Sequence, residues 1–442
     1  MHFSANEVAE ATGGRLTGPD VTVDGASIDS RTVSAGQLFV PIVAERDGHD
    51  FIATAVDAGA SAFLTDRAVD ADATSIQVAD TSLALADLGR AARARLTGPV
   101  IGVTGSVGKT STKDLLAQVL STQMRTAANE RSFNNELGLP LTLFGAPDGT
   151  EAVVVEMGAR GVGHIATLCD IAHPTIGVVT RVDGVHLELF GSIAAVAQAK
   201  GELVESLPAD GLAVLNVDQE AVAAMASRTS ARVIGYGLTT PADVHATDIR
   251  LDSELRPTFT LHTPWGSIEV SMAARGRHQV SNALAATAVA GGVGIDLDKI
   301  AQGLSGAAIS GLRMELSRTD SGVAVLNDSY NANPTSMNAA LDALVGLSDR
   351  RRVAVLGVMA ELGDTARAEH LAISERAAAL GVDVIAVDAA DYGSSVTHVP
   401  DIDSAVAALS DLRAGDAVLV KGSRVAALER VAVALLAAPG AS

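Results

Sequence analysis

The chain has 442 residues, a formal net charge of −20, and a composition of 48% hydrophobic, 19% charged and only 3% aromatic residues. A chain of this length divides into about two to four domains of roughly 100–200 residues each, and its apolar content supports sizeable cores and excludes a disordered polymer. The acidic balance excludes a general attraction to nucleic acid or anionic membranes, leaving phosphate binding to local sites where backbone N–H groups and a few cations overrule the background.

The single cysteine, Cys169, allows no intrachain disulfide and fits a reducing compartment. Met1 to Glu7 lacks the basic and apolar runs of a signal peptide. No stretch approaches the roughly 18–20 uninterrupted apolar residues that cross a bilayer. The expectation is a cytoplasmic monomer with neither a nucleic-acid nor a membrane partner.

In chain order, a first block at 1–98 holds the short β-like run Gln37–Val40 and helical stretches at Phe51–Gly59 and Leu83–Leu96, and it ends at the breaker Thr97-Gly98-Pro99. A second block, 99–311, opens with the strand candidate Val100–Val103. A glycine-rich turn follows, then a helix over Thr110–Ser121 and apolar runs at Ala152–Val155, Ile176–Val179 and Leu212–Leu215. A third block, 312–442, repeats the alternation with strands at Val323–Leu326, Arg352–Leu356, Val384–Val387 and Ala417–Val420. Alternating strands and helices predict parallel sheets with crossover helices. The expected fold class is α/β in three domains: a central P-loop parallel-sheet ATPase domain, a small N-terminal α/β domain and a C-terminal Rossmann-like domain. Hinge motion is expected at the Thr97–Pro99 and Gly311–Arg313 boundaries.

The strongest local signal is Thr104-Gly105-Ser106-Val107-Gly108-Lys109-Thr110-Ser111 between a strand and a helix. Glycines let several N–H groups converge on one anion, and the helix N-terminus adds its positive dipole end. Lys109 reaches β/γ-phosphates and the Thr110 hydroxyl joins a Mg²⁺ shell. Val103 stands where the longer P-loop pattern has glycine, so this is the shorter T-G-x-x-G-K-[ST] variant. Glu156 ends the run Val153-Val154-Val155, at the carboxyl edge where open α/β sheets bind ligands. Mg²⁺ takes one or two such carboxylates. By residue type alone Glu156 and His186 each read as structural before functional, and Lys200, among Ala195, Val196, Ala199 and Leu203, reads as a solvated helix face.

Further segments run in order along the chain: Asp29-Ser30-Arg31, Gly48-His49-Asp50-Phe51, Asn134-Asn135-Glu136-Leu137-Gly138, Glu156-Met157-Gly158, His186-Leu187-Glu188 and Ala199-Lys200-Gly201-Glu202. Then come Gly276-Arg277-His278-Gln279, Asn327 to Pro334, Ala360-Glu361-Leu362-Gly363 and Val420-Lys421-Gly422-Ser423-Arg424. In this set and order the sequence resembles the Mur ligases of bacterial cell-wall synthesis over essentially its whole length.

The resemblance implies ATP and Mg²⁺ as cofactors, with Lys109, Glu156, His186 and Lys200 catalytic. Thr110 and Glu156 would hold one metal, and Glu156 and His186 would contribute to a second. Lys200 matches the lysine that CO₂ carbamylates in the family, which turns a cation into an oxygen-donor anion. Asn282 would lie near adenine, and Arg313 and Asp328 near the nucleotide. Asp29, Ser30, Arg31, Gly48, His49 and Asp50 would face the uridine end of the substrate, Asn134 and Asn135 the muramoyl side, and Tyr330, Asn331 and Asn333 the incoming dipeptide. The implied reaction adds D-alanyl-D-alanine to UDP-MurNAc-tripeptide through an acyl phosphate. The alternative is the preceding ligase of the pathway, which adds a diamino acid to UDP-MurNAc-dipeptide; its Asp-Asn-Pro-Arg motif is missing here. A folylpolyglutamate synthetase shares the ATPase core but not the first block, and a P-loop switch protein would carry an Asn-Lys-x-Asp motif, also missing. Arg181 and Asp183 replace the asparagine and glycine of the family's T-N-x-G-x-x-H segment, and the expectation is an extra phosphate cation at Arg181.

Overall fold

The computed structural model describes residues 1–129, 133–184, 187–239, 241–348 and 350–437. The second block builds a nine-stranded sheet. Its inner strands Val100–Thr104, Ala152–Glu156, Ile176–Val179 and Leu212–Asn216 are buried along their full length. Continuous apolar runs are what parallel strands need when helices cover both faces. Helices Lys109–Leu120 and His278–Gly292 cover one face, packing Leu115, Leu116, Ala283 and Leu284 over Ile101 and Val103. Beyond Arg232–Gly237 the sheet ends in an antiparallel meander of Val244–Leu251, Pro257–Thr263 and Gly266–Ser271. Counting apolar runs does not find these strands, because about every second residue of Pro257–Thr263 is only half-buried and many are Thr or His.

The first block forms a five-stranded mixed sheet and a separate two-stranded ribbon. Its core is continuous with that of the second block. Phe3 packs on Phe144 with ring centroids 4.7 Å apart, and helix Thr81–Arg95 lies so close to Pro140 and Ile171 that a Cβ at Gly89 would come within 2.9 Å of both. The expected hinge at Thr97–Pro99 therefore sits beneath shared apolar packing. A Cβ at Gly98 would come within 1.8 Å of the Glu151 carbonyl oxygen.

The third block is a six-stranded sheet in the order Glu315–Arg318, Ala324–Asn327, Ala417–Lys421, Arg352–Leu356, Asp383–Val387, Thr397–Val399. The last strand in sequence, Ala417–Lys421, inserts between Ala324–Asn327 and Arg352–Leu356 and runs parallel to both. This reversal of strand order brings three strand ends together at a crevice, the usual ligand position in doubly wound sheets. The linker into this block adds polar contacts to the apolar packing of Ala307 and Ile309 on the central core: Gln118 bonds Ala308 in both directions at 2.6 and 3.1 Å, and Asp114 accepts the Ser310 N–H at 2.8 Å.

Candidate active site

The phosphate loop lies between strand Val100–Thr104 and helix Lys109–Leu120, as the sequence predicts. Gly105 has φ +148° and Gly108 φ +87°. A side chain at Gly105 would collide with the Thr180 hydroxyl, and one at Gly108 with the Asn282 amide. Thr180 Oγ1 donates to the Val107 carbonyl at 2.6 Å, pinning the loop to the neighbouring strand end. Lys109 Nζ folds back onto the Gly105 carbonyl at 2.7 Å. Burial pushes its amine below the ordinary lysine value, Glu156 opposes that shift, and Arg313 adds to it.

Glu156 leaves the end of its strand and enters a closed set of contacts. Thr110 Oγ1 donates to its Oε2 at 2.7 Å, Asn134 Nδ2 donates to Oε1 at 2.8 Å, and Asn129 Oδ1 accepts its backbone N–H at 2.9 Å. Two oxygen donors of hard character, the Thr110 hydroxyl and the Glu156 carboxylate, thus meet beside the phosphate loop. That donor set fits a Mg²⁺ that keeps most of its waters. Among the described residues no group of three or more His, Cys, Asp or Glu is arranged to hold a metal ion by itself. His186 lies outside the described residues.

Lys200 is the largest departure from the reading by residue type. On helix Ile193–Glu205 it is 3% exposed, and among the described residues nothing hydrogen-bonds its Nζ. Burial pushes the amine down to about 7, the Lys109 charge adds to that, and Asp183 pulls the other way. Two residues on, Glu202 caps the helix His164–Ala172 by accepting the N–H groups of Gly163 and Ala166 at 2.6 and 2.9 Å.

The third block reaches into the same place. Arg313 Nη2 donates to Thr110 Oγ1 at 3.0 Å, while its guanidinium stacks 4.2 Å from the Tyr330 ring centroid. The Arg313 Nε is buried without a hydrogen-bond partner, an orphaned donor beside the phosphate loop. Asn282 packs against Gly108, accepts from Thr112 Oγ1 at 3.3 Å and donates to Gln279 at 2.8 Å, so it braces the loop from beneath. Both carboxylate oxygens of Asp328 are engaged within the protein, by Met314 N–H at 3.1 Å and Lys421 Nζ at 2.5 Å. Lys421 also donates to the Asn331 carbonyl at 2.9 Å. Asn333 caps helix Pro334–Leu347, and Asn135 Oδ1 accepts the Gly138 N–H at 3.0 Å. Asn134 therefore orients Glu156, whereas Asn135 and Asn333 shape backbone.

In the first block, Asp29–Arg31 and Gly48–Asp50 follow parallel neighbouring strands, Ala26–Ser27 and Leu38–Phe39, on one edge of the sheet. Arg31 grips Asp29 through Nε at 2.9 Å and Nη2 at 2.6 Å, and this hydrogen bonding holds the carboxyl at about 2. Ser30 between them is buried. His49 does not present its ring at the surface: it is clamped between Asp47 at 2.7 Å and Asp66 at 3.3 Å. Gly48 allows a close approach, since a Cβ there would lie 2.5 Å from the Ile42 nitrogen.

Arg181 and Asp183, the two departures from the family segment, answer one another. Arg181 Nε and Nη2 bind Asp183 at 3.0 and 3.2 Å, and Gln219 adds a contact at 3.3 Å. The same turn exchanges hydrogen bonds with Ser106: its N–H donates to the Arg181 carbonyl at 2.7 Å and its hydroxyl accepts the Asp183 N–H at 2.9 Å. Arg181 is thus paired with Asp183 at the edge of the phosphate loop. Arg181→Asn alone leaves a half-buried carboxylate unpaired, while Arg181→Asn with Asp183→Gly restores a neutral turn. A double-mutant cycle on urea unfolding is expected to give a coupling of about 1 kcal/mol or more; additive values would contradict the pairing.

Residues the sequence reading left without a role also build the site. Asn129 fixes the Glu156 backbone and accepts Lys113 Nζ at 2.7 Å, and Lys421 braces the Asp328–Asn331 turn. Lys113 lies one helical turn after Lys109, a spacing that places both on one helix face. Lys421 ends a fully apolar strand, and a lone charge there was the available signal.

The chain matches the Mur ligase middle domain over residues 103–290, the Mur ligase glutamate ligase domain over 312–424 and the Mur ligase family catalytic domain over 22–93. It is 40% identical to the UDP-N-acetylmuramoyl-tripeptide–D-alanyl-D-alanine ligase of Mycobacterium tuberculosis, across 99% of this chain and 98% of that protein. It superposes on MurF from Acinetobacter baumannii with a TM-score of 0.90 and 30% identity over 99% of both chains. MurF from Thermotoga maritima in complex with ADP gives a TM-score of 0.83 and 28% identity, over 93% of this chain and 96% of that one. Matched by three family models along most of its length and similar to these relatives from end to end, the chain belongs to the Mur ligase family.

Proposed function

We propose that this chain is an ATP-dependent amide ligase that adds D-alanyl-D-alanine to UDP-MurNAc-tripeptide during peptidoglycan precursor synthesis in the cytoplasm. No helix among the described residues is long and apolar enough to cross a membrane. The observation that carries the reading is the meeting of Lys109, Thr110, Glu156 and Arg313, from two domains, around one anion-binding loop.

Joining a carboxylate to an amine needs activation. The terminal carboxylate of the tripeptide attacks the γ-phosphorus of ATP, the bond to ADP breaks, and an acyl phosphate forms. The dipeptide amine then attacks the acyl carbon, phosphate leaves, and the amine gives up a proton. Lys109, the loop N–H groups and the orphaned Arg313 donor supply positive charge where the transferring phosphoryl group is most anionic. Thr110 and Glu156 would hold Mg²⁺, which supplies Lewis-acid stabilisation when bound. Asn134 and Asn129 keep the Glu156 carboxylate aimed at that place. Lys200, buried with a lone pair available near neutral pH, suits reaction with CO₂ to give a carbamate and a released proton.

Incubation with ATP, Mg²⁺, UDP-MurNAc-tripeptide and hydroxylamine, without dipeptide, is expected to yield the UDP-linked hydroxamate. ADP formation without any hydroxamate would overturn the acyl-phosphate route.

A further inference from the structure

Leu255 sits at the tip of the hairpin between strands Val244–Leu251 and Pro257–Thr263 of the central sheet, where side chains ordinarily meet water. It is instead 1% exposed and belongs to the apolar core of the third block, with Met314, Met337, Leu341 and Leu344. The tip is built to present it. Asp252 Oδ1 accepts the N–H groups of Glu254 and Arg256, each at 2.8 Å, and the Asp252 carbonyl accepts that of Leu255 at 2.9 Å. These bonds hold Leu255 at φ +64°, a left-handed conformation that glycine or asparagine adopts at lower cost. Such strain persists where surrounding contacts over-determine it. On the receiving side, a Cβ at Gly346 would lie 3.1 Å from Leu255 Cδ2, so helix Pro334–Leu347 admits the leucine at a bare position.

The same residue reaches both walls of the nucleotide crevice. Its carbonyl accepts the Gly276 N–H at 2.8 Å, at the entry to helix His278–Gly292, which carries Asn282 beneath the phosphate loop. Met314, also left-handed at φ +52°, packs in the same core and gives its N–H to Asp328. Elsewhere the linker at 307–314 touches the central domain through Ala307 and Ile309 and through the Gln118–Ala308 and Asp114–Ser310 hydrogen bonds. We propose that Leu255 is a positioning residue, a knob on the central domain that sets where the third block carries Arg313 and Asp328 over the phosphate loop. The linker bends while the knob stays seated. The kinetic part of this inference rests on the ligase reading; the geometric part does not.

The test uses the full chain with spin labels on Ala226→Cys and Glu375→Cys, both exposed and in different domains, the native Cys169 being buried. Leu255→Gly removes the side chain while relieving the backbone strain at its left-handed position, and Gly346→Leu blocks the socket from the other side with the hairpin unchanged. Both are expected to broaden the interdomain distance distribution and to lower kcat about tenfold or more, with KM for the uridine substrate unchanged. Leu255→Met, similar in volume, is expected to restore both. Distances as narrow as in the parent chain for Leu255→Gly and Gly346→Leu would overturn the inference. Broadened distances in a chain whose parent shows no ligase turnover would keep the knob and remove the ligase reading instead.

Discussion

Glu156→Gln is expected to reduce turnover by about 10²–10³-fold while leaving the fold intact. The glutamine has the same shape and can still accept from the Asn134 amide or the Thr110 hydroxyl, which now bond the carboxylate at 2.8 and 2.7 Å. What disappears is the carboxylate at a buried site, and with it the proposed partner of a divalent cation. On the proposed role of Glu156 as a metal-holding carboxylate, its removal acts on the transition state, where phosphoryl charge is redistributed, more than on ground-state binding. The loss should therefore appear in kcat, with KM for the uridine substrate little changed. Steady-state phosphate release across a Mg²⁺ series measures it. A variant within threefold of the parent at every Mg²⁺ concentration would remove Glu156 from the chemistry.

Lys200→Arg is the second large effect, expected to cost about 10–100-fold in turnover. Only a neutral amine adds to CO₂. With the folded amine lowered to about 7 by burial, its neutral fraction grows as pH rises through that value and vanishes on acidification. Arginine keeps the positive charge but stays protonated throughout. The chain equilibrated with ¹³C-bicarbonate should thus give a carbamate carbonyl resonance that strengthens between pH 6 and 8 and is missing in Lys200→Arg. An arginine variant of full activity, or a resonance that survives the substitution, would contradict the assignment.

Legibility in the sequence followed the range of the interactions involved. The phosphate loop was readable because its glycines, lysine and hydroxyl sit in one short segment whose flanking strand and helix announce themselves. Glu156 was readable in place, as the polar end of an apolar run, but not in partnership: Asn129 and Asn134 reach it from a loop more than twenty residues earlier. Lys200 was misread by its alanine neighbours, because its burial arises from tertiary packing that helix-face patterning does not encode. Arg181 drew notice as an unusual residue, yet its pairing with Asp183 depends on how the turn wraps Ser106. Leu255 left no signal at all, being one leucine in a polar hairpin whose socket lies about ninety residues further along the chain. The packing around the hinge expected at Thr97–Pro99 was equally hidden, since Phe3, Phe144 and the helix Thr81–Arg95 come together in a core shared by two blocks.

The most direct test of the ligase reading is phosphate release with ATP, Mg²⁺, UDP-MurNAc-tripeptide and D-Ala-D-Ala, each omitted in turn, with the product weighed by mass spectrometry. The expected result is release that requires all four components and a product heavier by one D-Ala-D-Ala residue pair. Release that instead follows UDP-MurNAc-dipeptide with a diamino acid, or no release with either pair, would contradict it.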